Sequence, residues 1–289
     1  MCPIRLLMRP GNHLLKPLKD RQTSLFFPVM ITRQNNTVPS PPDQAAAWLH
    51  TAHKVAALTG AGISVGSGIP DFRSSGGLWS VFAPEEYATI EVFYRDPGKA
   101  WELYRALGKT LNGKEPNAAH RALADLEEMG LLHGIITQNI DNLHQQAGSR
   151  KVFEIHGDHQ HLQCLQCGNL VPVTPEHYHT TETPLCNLCT FPLKPNVVLF
   201  GEDVRQLDAI HRFIADCDLL LVIGTSAQVY PAAALPSLVY QNGGRIIECN
   251  RERSLPDSMY TESSRRAALF LQGDLVHTLP HLVQICRRK

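Results

Sequence analysis

Residues 59–79, TGAGISVGSGIPDFRSSGGLW, follow the short apolar run Val55-Ala56-Ala57-Leu58. That run reads as a buried parallel strand, with Gly60, Gly62 and Gly66 in the turn beyond it. Such a turn, at the carboxyl end of a strand, lets backbone N–H groups approach a pyrophosphate, with a helix N-terminus behind it. A glycine-rich connection that holds no ligand is the plain alternative. The spacing departs from the usual dinucleotide fingerprint, because Val65 stands at the third position of G-x-G-x-x-G. No second strand ending in an acid follows about twenty residues on, where a ribose would need it. The chain runs instead through Pro70-Asp71-Phe72-Arg73 to Gly76-Gly77, a long loop over the first turn. This disfavours a hydride-transferring dehydrogenase. It favours a nucleotide site under a polar, arginine-bearing flap.

Further apolar runs alternate with amphipathic segments. The order is a helix from Gln44 to about His53 with Asp43 as N-cap, helices within 84–111, and a helix over 117–129 stopped by Gly130. Strands follow at 133–137 and 152–155, then at Leu219–Ile223, Arg245–Cys249 and near Ala268–Leu271, with a last helix from Asp274 to Ile285. Alternation of this kind implies an α/β fold with a doubly wound, Rossmann-like parallel sheet. Small or amide-bearing residues stand at four strand ends: Gly60-Ala61-Gly62, Gln138-Asn139-Ile140-Asp141, Gly224-Thr225-Ser226 and Asn250. Parallel strands all point one way, so these groups should gather along one edge as a dinucleotide site. The polar residues after Thr137 could instead simply cap a helix starting near Asn142.

Between the third strand and Lys194 the pattern breaks. Cys164-Leu-Gln-Cys167 and Cys186-Asn-Leu-Cys189 have the spacing of a structural Zn2+ site, a small inserted module over about 158–194. Disulfides or free thiols are the alternative. Four thiolates leave no vacancy for His159, His161, His177 or His179, and a closed site does not activate water. The apolar segment Val197–Phe200 is either an ordinary strand or an edge that takes up a peptide.

GAGIS, SGIPDFR, TQNIDNLH, EIHG, the paired CxxC motifs, VVLFGE, GTSAQVYP and ECN occur in that order. The set resembles the signature blocks of the sirtuins, NAD-dependent protein lysine deacylases, and covers the chain from residue 42 onward. The resemblance implies that His156 is the general base and that Asn139 positions the ribose and water. The acyl-lysine oxygen would attack the nicotinamide ribose, nicotinamide would leave, and the base would activate a ribose hydroxyl against the resulting imidate. Water would complete transfer, giving lysine and O-acetyl-ADP-ribose. The NAD contacts implied are Gly60, Ala61, Gly62, Ser64, Val65, Ile69, Asp71, Phe72, Arg73, Gln138, Asn139, Ile140, Asp141, His156, Gly224, Thr225, Ser226, Asn250, Asp274 and Leu275. Within that set Phe72 would shield the reactive centre, Asp141 would hold the carboxamide, Ser226 and Asn250 the phosphates and adenosine ribose. Cys164, Cys167, Cys186 and Cys189 would hold the zinc. Val197, Val198, Phe200 and Gly201 would pair with the acetyl-lysine protein or peptide.

Relatives that remove succinyl or malonyl groups carry Tyr-x-x-Arg after the cofactor loop, whereas Tyr104 here is followed three residues on by Leu107. That implies deacetylation, or removal of other neutral acyl groups. Asn196 stands where the family usually has aspartate. A mono-ADP-ribosyltransferase or NAD hydrolase on the same scaffold is the nearest alternative, and a zinc-ribbon binding module on an inactive nucleotide-sensing domain a more distant one.

Lys+Arg and Asp+Glu balance at 27 each, so bulk nucleic-acid or membrane attraction has no global electrostatic support. No apolar run has the length of a membrane span. Residues 1–41 are basic and acid-poor, but Pro3, Pro10, Pro17 and Pro28 interrupt the amphipathic helix that a mitochondrial presequence needs. We expect a disordered leader or a start at Met30, a cytoplasmic location, and a catalytic domain over 42–289. Its nucleotide-binding part would comprise 42–157 and 195–289.

Overall fold

The computed structural model describes residues 39–71, 77–261 and 268–289. The expectations for residues 1–38 of the leader, and for Phe72, Arg73 and Gly76, therefore lie outside the described residues, whereas Pro41, assigned to the leader, already belongs to the first helix. Helix α1 (Pro41–Thr51) leads into strand β1 (Val55–Thr59). Helices α2 (Pro84–Tyr87), α3 (Ile90–Arg95), α4 (Pro97–Leu111) and α5 (Ala118–Glu128) precede β2 (Ile135–Thr137). Then come α6 (Leu143–Gln146), β3 (Val152–Glu154), β4 (Gly157–Cys164), β5 (Leu170–Pro172), α7 (Glu176–His179) and β6 (Leu193–Val197). Helix α8 (Leu207–Ile214), β7 (Leu219–Ile223), α9 (Leu235–Gln241), β8 (Arg245–Asn250), β9 (Leu269–Gln272) and α10 (Leu275–Cys286) complete the order.

The larger sheet has six parallel strands in the order β3-β2-β1-β7-β8-β9. Strands β1 and β7 are buried along their whole length, which is why their sequences are continuous apolar runs. One face packs against α1, α5 and α10 through Leu49, Leu123, Leu126, Leu279 and Leu282. The other packs against α8 and α9 through Ile210, Phe213, Leu235 and Val239. The smaller sheet, β5-β4-β6, is antiparallel. A third apolar cluster joins it to α3 and α4 through Phe93, Trp101, Tyr104, Leu162 and Leu193.

Local elements differ from the sequence reading at three places. Helix α1 begins at Pro41 with Ser40, not Asp43, as its N-cap. Proline suits the first helical turn because its missing N–H would have had no partner there. After β1 the chain forms two short 3₁₀ turns, Ala61–Ile63 and Val65–Ser67, rather than the N-terminus of an α-helix. The segment Val197–Phe200 is no separate strand, because β6 starts at Leu193, shortly after Cys189, and ends at Val197.

Candidate functional site

Strand register creates the site. Thr59 lies opposite Thr137 on one side and Ile223 on the other, and Ile223 lies opposite Cys249. The next residues, Gly60, Gln138, Gly224 and Asn250, therefore form a row across the carboxyl ends of four strands. The chain winds outward from β1 in one direction and from β7 in the other. The crevice between them is the switch point at which open α/β sheets bind ligands.

The glycines close that crevice from below. The amide of Gly60 donates to Ile223 O at 3.1 Å and that of Gly62 to Gly224 O at 2.8 Å. A Cβ on Gly62 would lie 2.8 Å from both Cα and O of Gly224. These two amides are thus already engaged by the neighbouring strand end. They let two backbone loops interlock, and do not themselves point N–H groups at a phosphate.

Gln138 ties three strands together. Its amide donates to Thr59 O at 2.9 Å, and its Nε2 donates to Thr225 Oγ1 at 2.9 Å. Its carbonyl accepts from Nδ1 of His156 at 2.9 Å. A carbonyl oxygen can only accept, so the imidazole carries its proton on Nδ1 and leaves Nε2 as a base. Burial lowers the His156 pKa from its ordinary 6.5, against the opposing pull of that carbonyl. At neutral pH the ring is uncharged.

Beneath the loop lies a polar layer in which sequence reading named Ser64, Asn139 and Asp141 but neither His120 nor His144. Ser64 is 1% exposed and its Oγ donates to Asp141 Oδ2 at 2.6 Å. The same oxygen receives Asn139 Nδ2 at 3.1 Å and lies 3.4 Å from His120 Nε2. Asp141 Oδ1 accepts the amide of Leu143 at 3.0 Å, while Asn142, the N-cap of α6, makes no side-chain capping bond. His144 Nε2 meets Thr59 Oγ1 at 2.9 Å, and its ring stands edge-on to His120 with centroids 5.0 Å apart. The signal for His120 was available: it is the third residue of α5 and returns its Nδ1 to the amide of Asn117 as half of a capping box.

A cavity of about 1020 Å³ opens above the row. Gly60, Ala61, Gly62, Val65, Asp71, Gln138, Asn139, Ile140 and His156 line it from one side. Gly224, Thr225, Ser226, Asn250, Asp274 and Leu275 line it from the other. Val197, Val198, Phe200 and Gly201 reach the same space. Ser64, Ile69 and Asp141 instead border a smaller adjoining cavity, which shares Ala61, Asn139 and Ile140. The floor carries the neutral amide and hydroxyl side chains of Gln138, Asn139, Thr225 and Asn250, with Asn139 Nδ2 donating to Gly60 O and Ser64 Oγ and Asn250 Nδ2 to Thr225 O.

The segment after β6 is pinned from behind. Lys194 is fully buried and pairs with Glu202 at 2.9 Å. Its Nζ also donates to Val197 O, while Glu202 accepts the amide of Leu199 at 2.8 Å. The Val198 amide donates to His156 O at 2.8 Å. Asn196 links Arg205 to Asp158, accepting at 2.7 Å and donating at 2.6 Å.

The four cysteines of the two CxxC pairs bring their sulfurs within 4.8 Å of one another. Cys164 and Cys189 are 3.4 Å apart and Cys167 and Cys186 3.6 Å, so none forms a disulfide. Tetrahedral Zn–S bonds of about 2.3 Å give sulfur separations of about 3.8 Å, so the donor set fits zinc. Gly168 and Thr190, each just after a second cysteine, adopt left-handed backbone with φ of 74° and 61°. Among the described residues, no histidine joins this group.

Residues 60–231 match the model of the Sir2 family. An NAD-dependent protein deacylase of Thermococcus kodakarensis is 41% identical over 247 residues, spanning 83% of this chain and 93% of that protein. The chain belongs to the Sir2 family. A solved Sir2 homolog–NAD complex is 38% identical, with a TM-score of 0.76 over 85% of this chain and 94% of that one. A Sir2 structure with a deacetylated p53 peptide and 3′-O-acetyl ADP-ribose is 32% identical, with a TM-score of 0.73 over 85% of this chain and 96% of that one. The four-cysteine cluster and the strand-end row therefore lie within a Sir2 scaffold. Among the described residues of this Sir2 protein, no helix is long and apolar enough to cross a membrane.

Proposed function

We propose that this protein removes acetyl groups from protein lysine side chains, with NAD as co-substrate, releasing nicotinamide and O-acetyl-ADP-ribose. One observation carries the reading: His156, with Nε2 as its basic nitrogen, shares a cavity with Asn139, the strand-end row and the segment 197–201. NAD, when bound, supplies the glycosidic bond that breaks and the ribose hydroxyl that receives the acyl group. His156 Nε2 takes the proton of that hydroxyl, a task suited to a neutral imidazole. Asn139 orients the ribose and the attacking water, and Asp141 with Ile140 holds the carboxamide end. Thr225 and Ser226 face the phosphates, Asn250 the adenosine ribose, and Asp274 and Leu275 the adenine. Val197, Val198, Phe200 and Gly201 hold the acyl-lysine peptide by backbone pairing.

Zinc holds the smaller sheet and takes no part in the chemistry, because four thiolates fill its coordination. A reducing, cytoplasmic location accords with the unbridged cysteines. The test is nicotinamide release from NAD with and without an acetyl-lysine peptide, in the intact chain and in His156→Ala. Peptide-dependent release coupled to deacetylation, with turnover lost in the variant, is expected. Release without peptide, or ADP-ribose appearing on protein, would favour an NAD hydrolase or ADP-ribosyltransferase.

A further inference from the structure

Asn117 lines neither cavity, yet its side chain is bonded twice to a loop that lines both. As the N-cap of α5 it accepts the Ala119 amide on Oδ1 at 2.8 Å. Capping uses only that oxygen. The Nδ2 of asparagine carries two protons, and here both leave the helix. One goes to Ile63 O at 2.8 Å and the other to Ser67 Oγ at 3.0 Å.

The two acceptors end the two 3₁₀ turns, Ala61–Ile63 and Val65–Ser67. Ala61, Gly62, Ile63, Val65 and Gly66 of those turns line the large cavity. Gly66 is pressed onto the same support, since a Cβ there would collide with Val276 Cγ1 and come within 3.2 Å of Asn117 Nδ2. Hydrogen-bond geometry is poor in a 3₁₀ turn, so two short ones in succession need outside bonds to keep one shape. A single amide group that bonds the end of each turn fixes their spacing. A cap alone does not require asparagine, because serine and aspartate serve as well. Among capping side chains only asparagine gives the helix an acceptor and the loop two protons.

We propose that Asn117 is a positioning residue for the dinucleotide: its two amide protons hold residues 61–67 in the shape that receives NAD. This rests on the NAD-dependent reading above.

The experiment measures ADP-ribose and acetyl-lysine peptide binding by calorimetry, and denaturant unfolding, in the native protein, Asn117→Ser and Asn117→Asp. Both variants keep a capping oxygen and the backbone amide that meets His120 Nδ1. Serine is too short to span to both acceptors and adds no charge. Aspartate keeps the length and sets a carboxylate against Ile63 O. Affinity for ADP-ribose should fall about tenfold in Asn117→Ser and at least as far in Asn117→Asp, because the receptive loop shape becomes a minor one. The unfolding midpoint and the peptide affinity should stay near native. A residue that only caps α5 would leave ADP-ribose binding unchanged in both variants. Affinity within about twofold of native in either variant therefore overturns the proposal, whatever happens to the midpoint. An equal loss of peptide affinity also overturns it, since the damage would then not be confined to the dinucleotide. If the native protein does not bind ADP-ribose, the NAD reading itself falls and takes the proposal with it.

Discussion

The Nδ1 proton of His156 is fixed on the carbonyl oxygen of Gln138, 2.9 Å away, and this decides which ring nitrogen can act as a base. The two residues come from different strand ends, β3 and β2, brought level by the pairing of Thr137 with Glu154. Burial disfavours the imidazolium and moves its pKa below 6.5. Activity that depends on the neutral ring should therefore fall only in acid. In the pH profile of kcat/KM of the intact protein, we expect the acid limb to be centred below 6.5. A limb centred above that value would contradict the assignment.

The buried His120–His144 pair should make the fold acid-sensitive. Burial is the main cause in both, lowering His120 to about 4 and His144 to about 3. The unfolded chain takes up these protons near 6.5, while the native chain does so only at the lowered values. Stability is therefore present above 6.5 and is lost as pH falls from there toward about 4 and about 3. Each ring can contribute a slope of up to about 1.4 kcal/mol per pH unit. Denaturant unfolding across that interval should show the slope, and His144→Gln should make it shallower. An equal slope in the variant would exclude His144 as a source.

Gly62 should not tolerate a side chain. Alanine would set Cβ 2.8 Å from Gly224 Cα and O, both backbone atoms of a tightly packed turn. Gly62→Ala should cost about 1–3 kcal/mol, read from denaturant unfolding, with weakened ADP-ribose binding in calorimetry. A loss under about 0.5 kcal/mol would show that the two turns can part freely.

Metal removal should disable peptide turnover. Strands β4 and β6 carry Cys164 and Leu193 at one end and run to Gly157 and Val197 at the other. Zinc loss would therefore release both His156 and the segment 197–201 from their frame. We expect one zinc per chain by elemental analysis. Cys186→Ser should lose the metal, melt at lower temperature and show no peptide-dependent nicotinamide release. Full zinc retention in that variant would contradict the four-thiolate site.

Acyl choice follows from Tyr104 and Leu107. With no cation three residues after the tyrosine, kcat/KM on an acetyl-lysine peptide should exceed that on the succinyl form by at least about tenfold. Preference for succinyl would overturn it. Leu107→Arg should narrow the gap by supplying the missing charge.

Much of the fold was legible in the sequence because it rests on local patterns. Leu219–Ile223 read as a buried parallel strand, as it is, and the paired CxxC motifs announced their own cluster. The row of strand ends was also readable, since parallel strands share one direction. What could not be read were relationships fixed by register and depth. Gly62 looked like a phosphate-facing glycine, yet its amide is engaged by Gly224 O. His120, Ser64 and Asp141 meet although 56 residues separate the first two and 77 the last two. Helix α1 was misplaced at its start because Ser40 and Asp43 are both good caps, and the competition is settled by the prolines between them.

The sequence by itself determined the alternation of strands and helices, the four-cysteine cluster and the residues delivered to the carboxyl edge, since each depends on spacing or strand direction. Only the tertiary structure decided which of these groups remain available to a ligand. Packing engaged the Gly60 and Gly62 amides, turned His156 Nδ1 onto Gln138, and left Tyr104 Oη without a partner. The reason is physical: each backbone amide has one proton to give, each side-chain donor a small fixed number, and contacts between distant segments determine where they go.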